Sequence, residues 1–282
     1  MVRLILLTTL VMSAFAANSV LNRMALLGGE IGAMEFALWR VASGALALAA
    51  LTAYRHGALH VTGPGRITGV GSLALYLVGF SIAYRGLDAG VGALILFGFV
   101  QITMFAGAVL LREPIPIRRI AGAAVALAGL AWLFWPGGGS PISLWHGAFM
   151  AAAAVGWGVY SLEGRKARDP LGATAANFIL ATPVVFVVFL LVPSDTPSSL
   201  RGIILALISG TVTSALGYAL WYSVLPALGA TRAAVAQLSV PIIAIAGGAV
   251  LLAEPVTLQL ILAAAIVLGG VLLSLSPAAK PR

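Results

Sequence analysis

The 282-residue sequence contains no cysteine. Disulfide bonds, thiol catalysis and cysteine-ligated metals are therefore excluded. Histidine is also scarce: His56, His60 and His146 stand at or near the ends of predicted helices, without the spacing of a metal site. We therefore expect no cofactor.

Charged residues make up only 9% of the chain, whereas 61% is hydrophobic and the mean hydropathy is +1.08. A soluble domain carries about 25% charged residues, because its surface must be hydrated. The composition therefore predicts an integral membrane protein. The net charge of +8 does not indicate nucleic-acid binding, because the basic residues stand singly or in small groups between apolar runs. The expected macromolecular surroundings are membrane lipid.

Acidic residues number eight, and all of them lie in predicted loops or near predicted helix ends. A proton or sodium coupling site needs a carboxylate at mid-membrane. Glu35 is the deepest, about one turn inside its predicted helix, and Glu35 or Glu163 reaching a water-filled cavity is the alternative. The distribution favours a facilitator or exchanger driven by the substrate gradient.

Long apolar runs fill the rest of the chain. A bilayer core of about 30 Å needs about 20 apolar residues in a helix, and continuous runs exclude spanning strands. The first run is too long for a signal peptide. Ten spanning helices are predicted, at about 4–21, 31–53, 67–84, 90–111, 118–135, 144–161, 171–192, 201–221, 231–252 and 258–276.

Basic residues give the orientation, because cytoplasmic loops are enriched in Lys and Arg. One side holds twelve of them: Arg3, Arg55, Arg66, Arg112, Arg118, Arg119, Arg165, Lys166, Arg168, Arg232, Lys280 and Arg282. The other side holds Arg23, Arg85 and Arg201, and Arg40 falls within a helix. Both termini are therefore predicted to be cytoplasmic.

Two halves of the sequence repeat each other. "FAANSVLNR" (Phe15–Arg23) matches "WGVYSLEGR" (Trp157–Arg165) at an offset of 165 − 23 = 142. The pair Glu113–Pro114 recurs as Glu254–Pro255 at 254 − 113 = 141. We therefore predict two five-helix repeats, 1–140 and 141–282. Because five is odd, the second repeat is inverted in the membrane, a plan typical of secondary transporters.

The sequence resembles the EamA family of the drug/metabolite transporter superfamily. The resemblance rests on the five-plus-five plan, the first helices of each half, an arginine in helix 2 and the paired Glu-Pro after helices 4 and 9. One departure is that "QLSVPII" carries Pro241 where "FGFVQIT" carries Val100. The resemblance implies export or exchange of small metabolites, with bacterial amino-acid exporters as the best-known members, and hence a bacterial inner membrane.

Arg40 lies near the middle of predicted helix 2, where an ionisable group is expensive and indicates function. It anchors a substrate carboxylate, acts as a gate that changes partners, or is a structural arginine bonded to carbonyls. The sequence leaves all three open. Glu35 is five residues away, about 140° round the helix, and does not share its face.

Polar and aromatic residues within the helices are the other candidates for an aromatic-walled cavity. The predicted substrate-binding residues, with Arg40, are Asn18, Tyr76, Phe80, Phe97, Gln101, Trp157, Tyr160, Ser214, Tyr218 and Gln237. The alternatives are an interfacial belt of Trp and Tyr and ordinary packing of Phe. Pro183 and Pro241 are candidates for gating bends, with a tolerated kink as the alternative for Pro183.

The leading functional hypothesis is export of amino acids or related small amphipathic metabolites by alternating access. Transport of drugs, nucleotide sugars or lipid-linked sugars is the alternative. A membrane-embedded enzyme would need a nucleophile and base, or a metal site, at one depth, and no such cluster occurs. The spacings Ala124–Ala128 and Ala265–Gly269 predict close helix packing within one chain or a dimer contact, so a monomer or weak homodimer is expected.

Overall fold

The computed structural model describes residues 2–57, 59–110, 112, 116–135, 142–164, 167–192 and 196–275, with the backbone alone at 56 and 229–234. The Glu113–Pro114 pair, Arg165, Lys166, the end of the chain after 275 and the predicted repeat boundary at 140 lie outside these residues.

Helices account for nearly all regular structure in the described residues, and no strand occurs among them. They are α1 (Val2–Leu27), α2 (Ala33–His56), α3 (Arg66–Ala83), α4 (Ala89–Leu110), α5 (Ile117–Leu133), α6 (Leu144–Gly164), α7 (Pro170–Leu191), α8 (Leu200–Ile208), a π-helical segment (Ser209–Leu216), α9 (Gly217–Gln237), α10 (Ser239–Leu252) and α11 (Leu258–Leu275).

Helix ends follow local signals in the sequence. Asp169 and Ser199 each accept a hydrogen bond from a backbone N–H, those of Gly172 and Gly202 at 3.0 Å, and thereby begin α7 and α8. α10 ends at Leu252, and the following residue, Ala253, takes the left-handed conformation with φ 53°.

One predicted helix break is wrong, in the continuous helical stretch formed by α8, the π-helical segment and α9. We predicted a break at 222–230, where Pro226 and Gly229 interrupt the apolar run, but helix continues through Pro226 to Gln237 and breaks at Leu238 instead. The physical reason is that one proline removes a single hydrogen bond from a helix, which costs less than opening several residues into a loop.

Apolar side chains cover the outside of the helix bundle. Leu46, Leu110 and Val250 are 73%, 84% and 81% exposed, which is unfavourable in water and suited to lipid. Eight helical stretches of the described chain are long and apolar enough to cross a membrane. The protein is therefore an all-helical, multi-pass membrane protein.

The tightest helix pair is α5 with α11. A Cβ on Gly122 would collide with the backbone of Gly270, and one on Gly129 with Val267. The predicted spacings are wrong as packing contacts within the chain, because Ala124, Ala128, Ala265 and Gly269 point outward from this pair. The small residues that do face the partner helix, such as Gly122, Gly129 and Gly270, lie one or two positions away along the sequence. Sequence spacing alone does not fix this rotation of each helix about its axis.

Two ends of the bundle are defined by basic residues. At the Arg23 face, Arg23 contacts Arg85, Asp88 and Glu254, which places the end of α1, the α3–α4 turn and the α10–α11 loop together. Glu30, which follows α1, pairs here with Arg201. At the Arg66 face, the start of α3 meets the start of α7.

Candidate functional site

A small cavity lies among α1, α3, α4, α6 and α9. It is lined by Phe15, Asn18, Ser19, Tyr76, Phe80, Leu96, Phe97, Trp157 and Tyr218. The volume open to the centre of a water molecule is about 20 Å³, and about 10–15 Å³ suffices for one water. The cavity therefore has room for a water molecule but not for a metabolite in this conformation.

Aromatic rings form the walls of this cavity. Trp157 lies 5.1 Å from Tyr218, 5.0 Å from Tyr76 and 6.4 Å from Phe15 between ring centroids. Tyr160 stacks on Trp157 at 5.7 Å. Such rings offer a large apolar contact area and a negative face for a cation.

Arg40 is completely buried beside the cavity. Its Nε donates to Ser214 Oγ at 3.1 Å, and its Nη2 donates to the Tyr76 hydroxyl at 3.0 Å. The guanidinium carbon lies 5.2 Å and 5.0 Å from the ring centroids of Tyr76 and Phe80. Hydroxyls and rings, not backbone carbonyls, hold this arginine.

Three buried donors beside the cavity are left without partners. Arg40 Nη1 and the hydroxyls of Tyr160 and Tyr218 make no hydrogen bond to any residue that the structure describes. No carboxylate of those residues pairs with Arg40 either. A buried, uncompensated cation is costly, so the arrangement is suited to a ligand that brings a negative charge and accepts hydrogen bonds.

The π-helical segment Ser209–Leu216 supports Arg40 and Asn18. Asn18 Oδ1 accepts hydrogen bonds from Ser209 Oγ at 2.9 Å and from Thr213 Oγ1. Gly210 lets the segment approach α2, because a Cβ there would collide with the carbonyl oxygen of Arg40. Single π-helical turns frequently accompany functional sites.

The structure gathers most predicted site residues but not all. Asn18, Tyr76, Phe80, Phe97, Trp157 and Tyr218 line the cavity, and Arg40, Ser214 and Tyr160 contact that lining. Gln101 and Gln237 lie outside the lining. Pro183 is exposed within α7, and Pro241 is buried in the first turn of α10, just after the helix break.

Ser19, a further polar candidate beside Asn18, also lines the cavity. Phe15 and Leu96 line it too, although we did not predict them as binding residues. Phe15 was detectable, because the repeat aligns it with Trp157. Leu96 carries no signal in the sequence. No group of three or more His, Asp or Glu among the described residues is placed to hold a metal ion.

A polar cluster lies at the Arg23 face. Arg23 is 8% exposed; its Nε donates to Glu254 Oε1 at 3.1 Å and its Nη2 to Asp88 Oδ1 at 3.2 Å. Its Nη1 donates to the carbonyl oxygens of Tyr84 and Arg85. Burial raises the pKa of the Glu254 carboxyl and Asp88 adds to the rise, although Arg23 and the Ala89 N–H oppose it.

Comparison with known proteins gives a consistent result. Residues 144–276 match the EamA-like transporter family. An uncharacterized protein of Pseudomonas aeruginosa is 42% identical over 98% of this chain and 95% of its own length. A probable amino-acid metabolite efflux pump of Salmonella typhimurium is 26% identical over 66% of this chain and 67% of its own.

An uncharacterized transporter of Archaeoglobus fulgidus is 25% identical over 72% of this chain and 74% of its own length. A solved crystal structure superposes with a TM-score of 0.66 at 19% identity, covering 94% of this chain and 95% of the other. At that identity the likeness describes the fold alone.

Proposed function

Because the chain belongs to the EamA-like transporter family, we propose that it is a secondary transporter that exports amino acids or related small amphipathic metabolites by alternating access. Its relatives are named as transporters and an efflux pump, not as enzymes. The substrate class is our proposal. The name of the Salmonella typhimurium relative supports it, and the cavity described above fits it.

The observation that carries the proposal is the environment of Arg40. A guanidinium that is fully buried, has a spare donor and lacks a carboxylate partner among the described residues fits a substrate carboxylate. The Tyr218 hydroxyl supplies a second free donor, and the surrounding rings fit an apolar or aromatic body. A substrate with several phosphates would need more deep cations than this one.

We further propose ten spans in two inverted five-helix repeats, 1–140 and 141–282. The helix contacts support it. α3 packs on α6 as α1 packs on the α8–α9 stretch, and α4 contacts α6 as α10 contacts α1. When each helix is replaced by its counterpart in the other half, the first contact of each pair becomes the second.

The residues before the two Glu-Pro pairs support the same plan. Arg112 and Ala253 both have left-handed backbones, with φ of 54° and 53°, and are 253 − 112 = 141 residues apart. Non-glycine residues seldom adopt this conformation, so its recurrence at the repeat offset favours equivalent structures.

The Arg23 face is proposed to be periplasmic, with both termini cytoplasmic and the protein in a bacterial inner membrane. Arg23, Arg85 and Arg201 lie at this face, and they are the three basic residues assigned by loop charge to the poorer side. No Asp or Glu belongs to the described cavity lining, which supports a facilitator or exchanger.

The proposal is tested by counterflow in proteoliposomes, with each standard amino acid as the labelled substrate. Trp157→Leu should raise the half-saturating concentration about two- to tenfold, because an aromatic contact contributes about 0.5–1.5 kcal/mol and about 1.4 kcal/mol is tenfold. Trp39→Leu, which changes a half-exposed tryptophan next to Arg40, is the matched control. Collapse of the proton gradient should leave counterflow intact.

An absence of counterflow for every amino acid would refute amino acids as the substrates. Counterflow of a nucleotide sugar, a lipid-linked sugar or a drug in the same vesicles would then favour the alternative substrates. Loss of amino-acid counterflow without a proton gradient would instead refute the uncoupled mechanism.

A further inference from the structure

We propose that Arg23, Asp88 and Glu254 form a lock that holds the Arg23 face closed over the central cavity and opens when substrate passes that face. This inference rests on the proposed transport function, because it assigns the lock to one step of the transport cycle. It concerns residues that take no part in the cavity itself.

The position of the lock follows from helix geometry. On α1, Ser19 and Arg23 are four residues apart and therefore share one helix face. Ser19 lines the cavity, and Arg23 lies one turn further on, about 6 Å along the axis at 1.5 Å per residue. Arg23 therefore lies next to the cavity, on the side of the Arg23 face.

The α4 helix gives the same relation. Phe97 lines the cavity, and Asp88 precedes the first residue of α4, nine residues and about 13.5 Å nearer to the Arg23 face. On this side of the cavity the three side chains connect α1, the start of α4 and the α10–α11 loop.

The lock joins the two halves of the chain through one carboxylate. Arg23 and Asp88 belong to the first half, whereas Glu254 belongs to the second. Glu254 Oε1 accepts from Arg23 and Oε2 accepts from the Ala89 N–H at 2.8 Å. The close approach of α4 and α10 makes this reach possible, since a Cβ on Gly90 would collide with Ile245.

The distribution of partners suits a contact that breaks and re-forms. If Glu254 withdraws with the second half, Arg23 keeps Asp88 as its counter-ion and keeps the carbonyl oxygens of Tyr84 and Arg85. Removing the sole partner of a buried charge is strongly unfavourable. Here the arginine retains a partner from its own half, so only the contact between halves is lost.

The absence of cysteine from the chain permits a direct test. Ser19→Cys places one thiol in the cavity lining, and a membrane-impermeant methanethiosulfonate is added to each side of oriented vesicles in turn. Arg23→Gln or Glu254→Gln should accelerate labelling from the Arg23 face at least about tenfold, the effect of about 1.4 kcal/mol on an opening equilibrium. The double variant should match the single ones, because both remove the same contact.

Arg201→Gln is the matched control. It removes an arginine that pairs with Glu30 at the same face, but its side chain is 65% exposed, and an exposed pair contributes little. Its labelling rate should equal that of the parent. Asp88→Asn should have a smaller effect than Glu254→Gln, because Asp88 does not connect the two halves.

Glu254→Asp shortens the side chain and keeps its charge, so it provides a folded lock variant if Glu254→Gln does not elute as a single species. Unchanged labelling in folded Arg23→Gln and Glu254 variants, or an equal acceleration in Arg201→Gln, would overturn the lock. Labelling needs no substrate, so a failure to transport amino acids would refute the proposed function without affecting this readout.

Discussion

Replacing Arg40 by methionine separates its role as a substrate anchor from a structural role. Methionine is apolar and unbranched, so it fills much of the same space without charge. The spare Nη1 donor would form a charge-assisted hydrogen bond to a substrate carboxylate, and such a bond contributes about 1.5–3 kcal/mol. The affinity should therefore fall about 10- to 150-fold.

The effect on stability should be small. Arg40→Met removes two hydrogen bonds, to Ser214 and Tyr76, worth about 3–6 kcal/mol together. It also removes a buried charge whose desolvation costs several kcal/mol. These two contributions are of similar size and opposite sign, so the free energy of unfolding should change little while the affinity for substrate falls.

The assay pairs concentration-dependent counterflow with thermal unfolding of the purified protein in detergent. Arg201→Met removes a cation that is largely exposed and should change neither quantity. A structural arginine would give the opposite pattern for Arg40→Met: an unfolding free energy lowered by about 3–6 kcal/mol and an unchanged affinity in the protein that remains folded. That pattern would refute the anchor.

Two further predictions concern the π-helical segment and the α10–α11 loop. Gly210→Ala should lower the unfolding free energy by about 1–3 kcal/mol, because its Cβ would collide with Ser43 and the Arg40 carbonyl. Gly71→Ala, with open space around the new Cβ, should leave the unfolding free energy unchanged. Equal melting temperatures of the two variants would contradict the close contact at Gly210. Burial raises the pKa of Glu254 above its ordinary value of 4.5, so ionisation of this carboxyl opposes folding. The stability that the protonated carboxyl contributes is present below pH 4.5 and is lost as the pH rises through the raised pKa. Glu254→Gln should lack this decline in stability, and a parallel decline in both proteins would contradict the prediction.

The sequence was sufficient for most of the helices because the membrane restricts the choice. Apolar runs of about 20 residues have to form helices when lipid leaves no partner for the backbone. The exceptions are local. The break was predicted at 222–230 but lies at Leu238, and no sequence signal indicated the π-helical segment Ser209–Leu216.

The cavity was predictable only in part, because spacing fixes which residues share a helix face but not where that face points. Tyr76 and Phe80 share a face that turns toward α6 and α1, and both line the cavity. Phe97 and Gln101 also share a face, yet Gln101 lies one turn beyond the lining. Depth along the helix decides between them, and depth depends on how neighbouring helices pack.

The Glu-Pro pair shows most clearly what sequence spacing leaves out. Proline and glutamate between two apolar runs suggest a helix end and a carboxylate near the N-terminus of the following helix, where the dipole favours it. Glu254 instead binds the N-terminus of α4 through Ala89 and the guanidinium of Arg23. These partners are 165 and 231 residues away in the chain, so only the fold identifies them. The physical attraction is the expected one, a carboxylate at a helix N-terminus, but its partner lies in the other half of the protein. A feature that had only a local structural role in the sequence thus becomes a contact between the two halves.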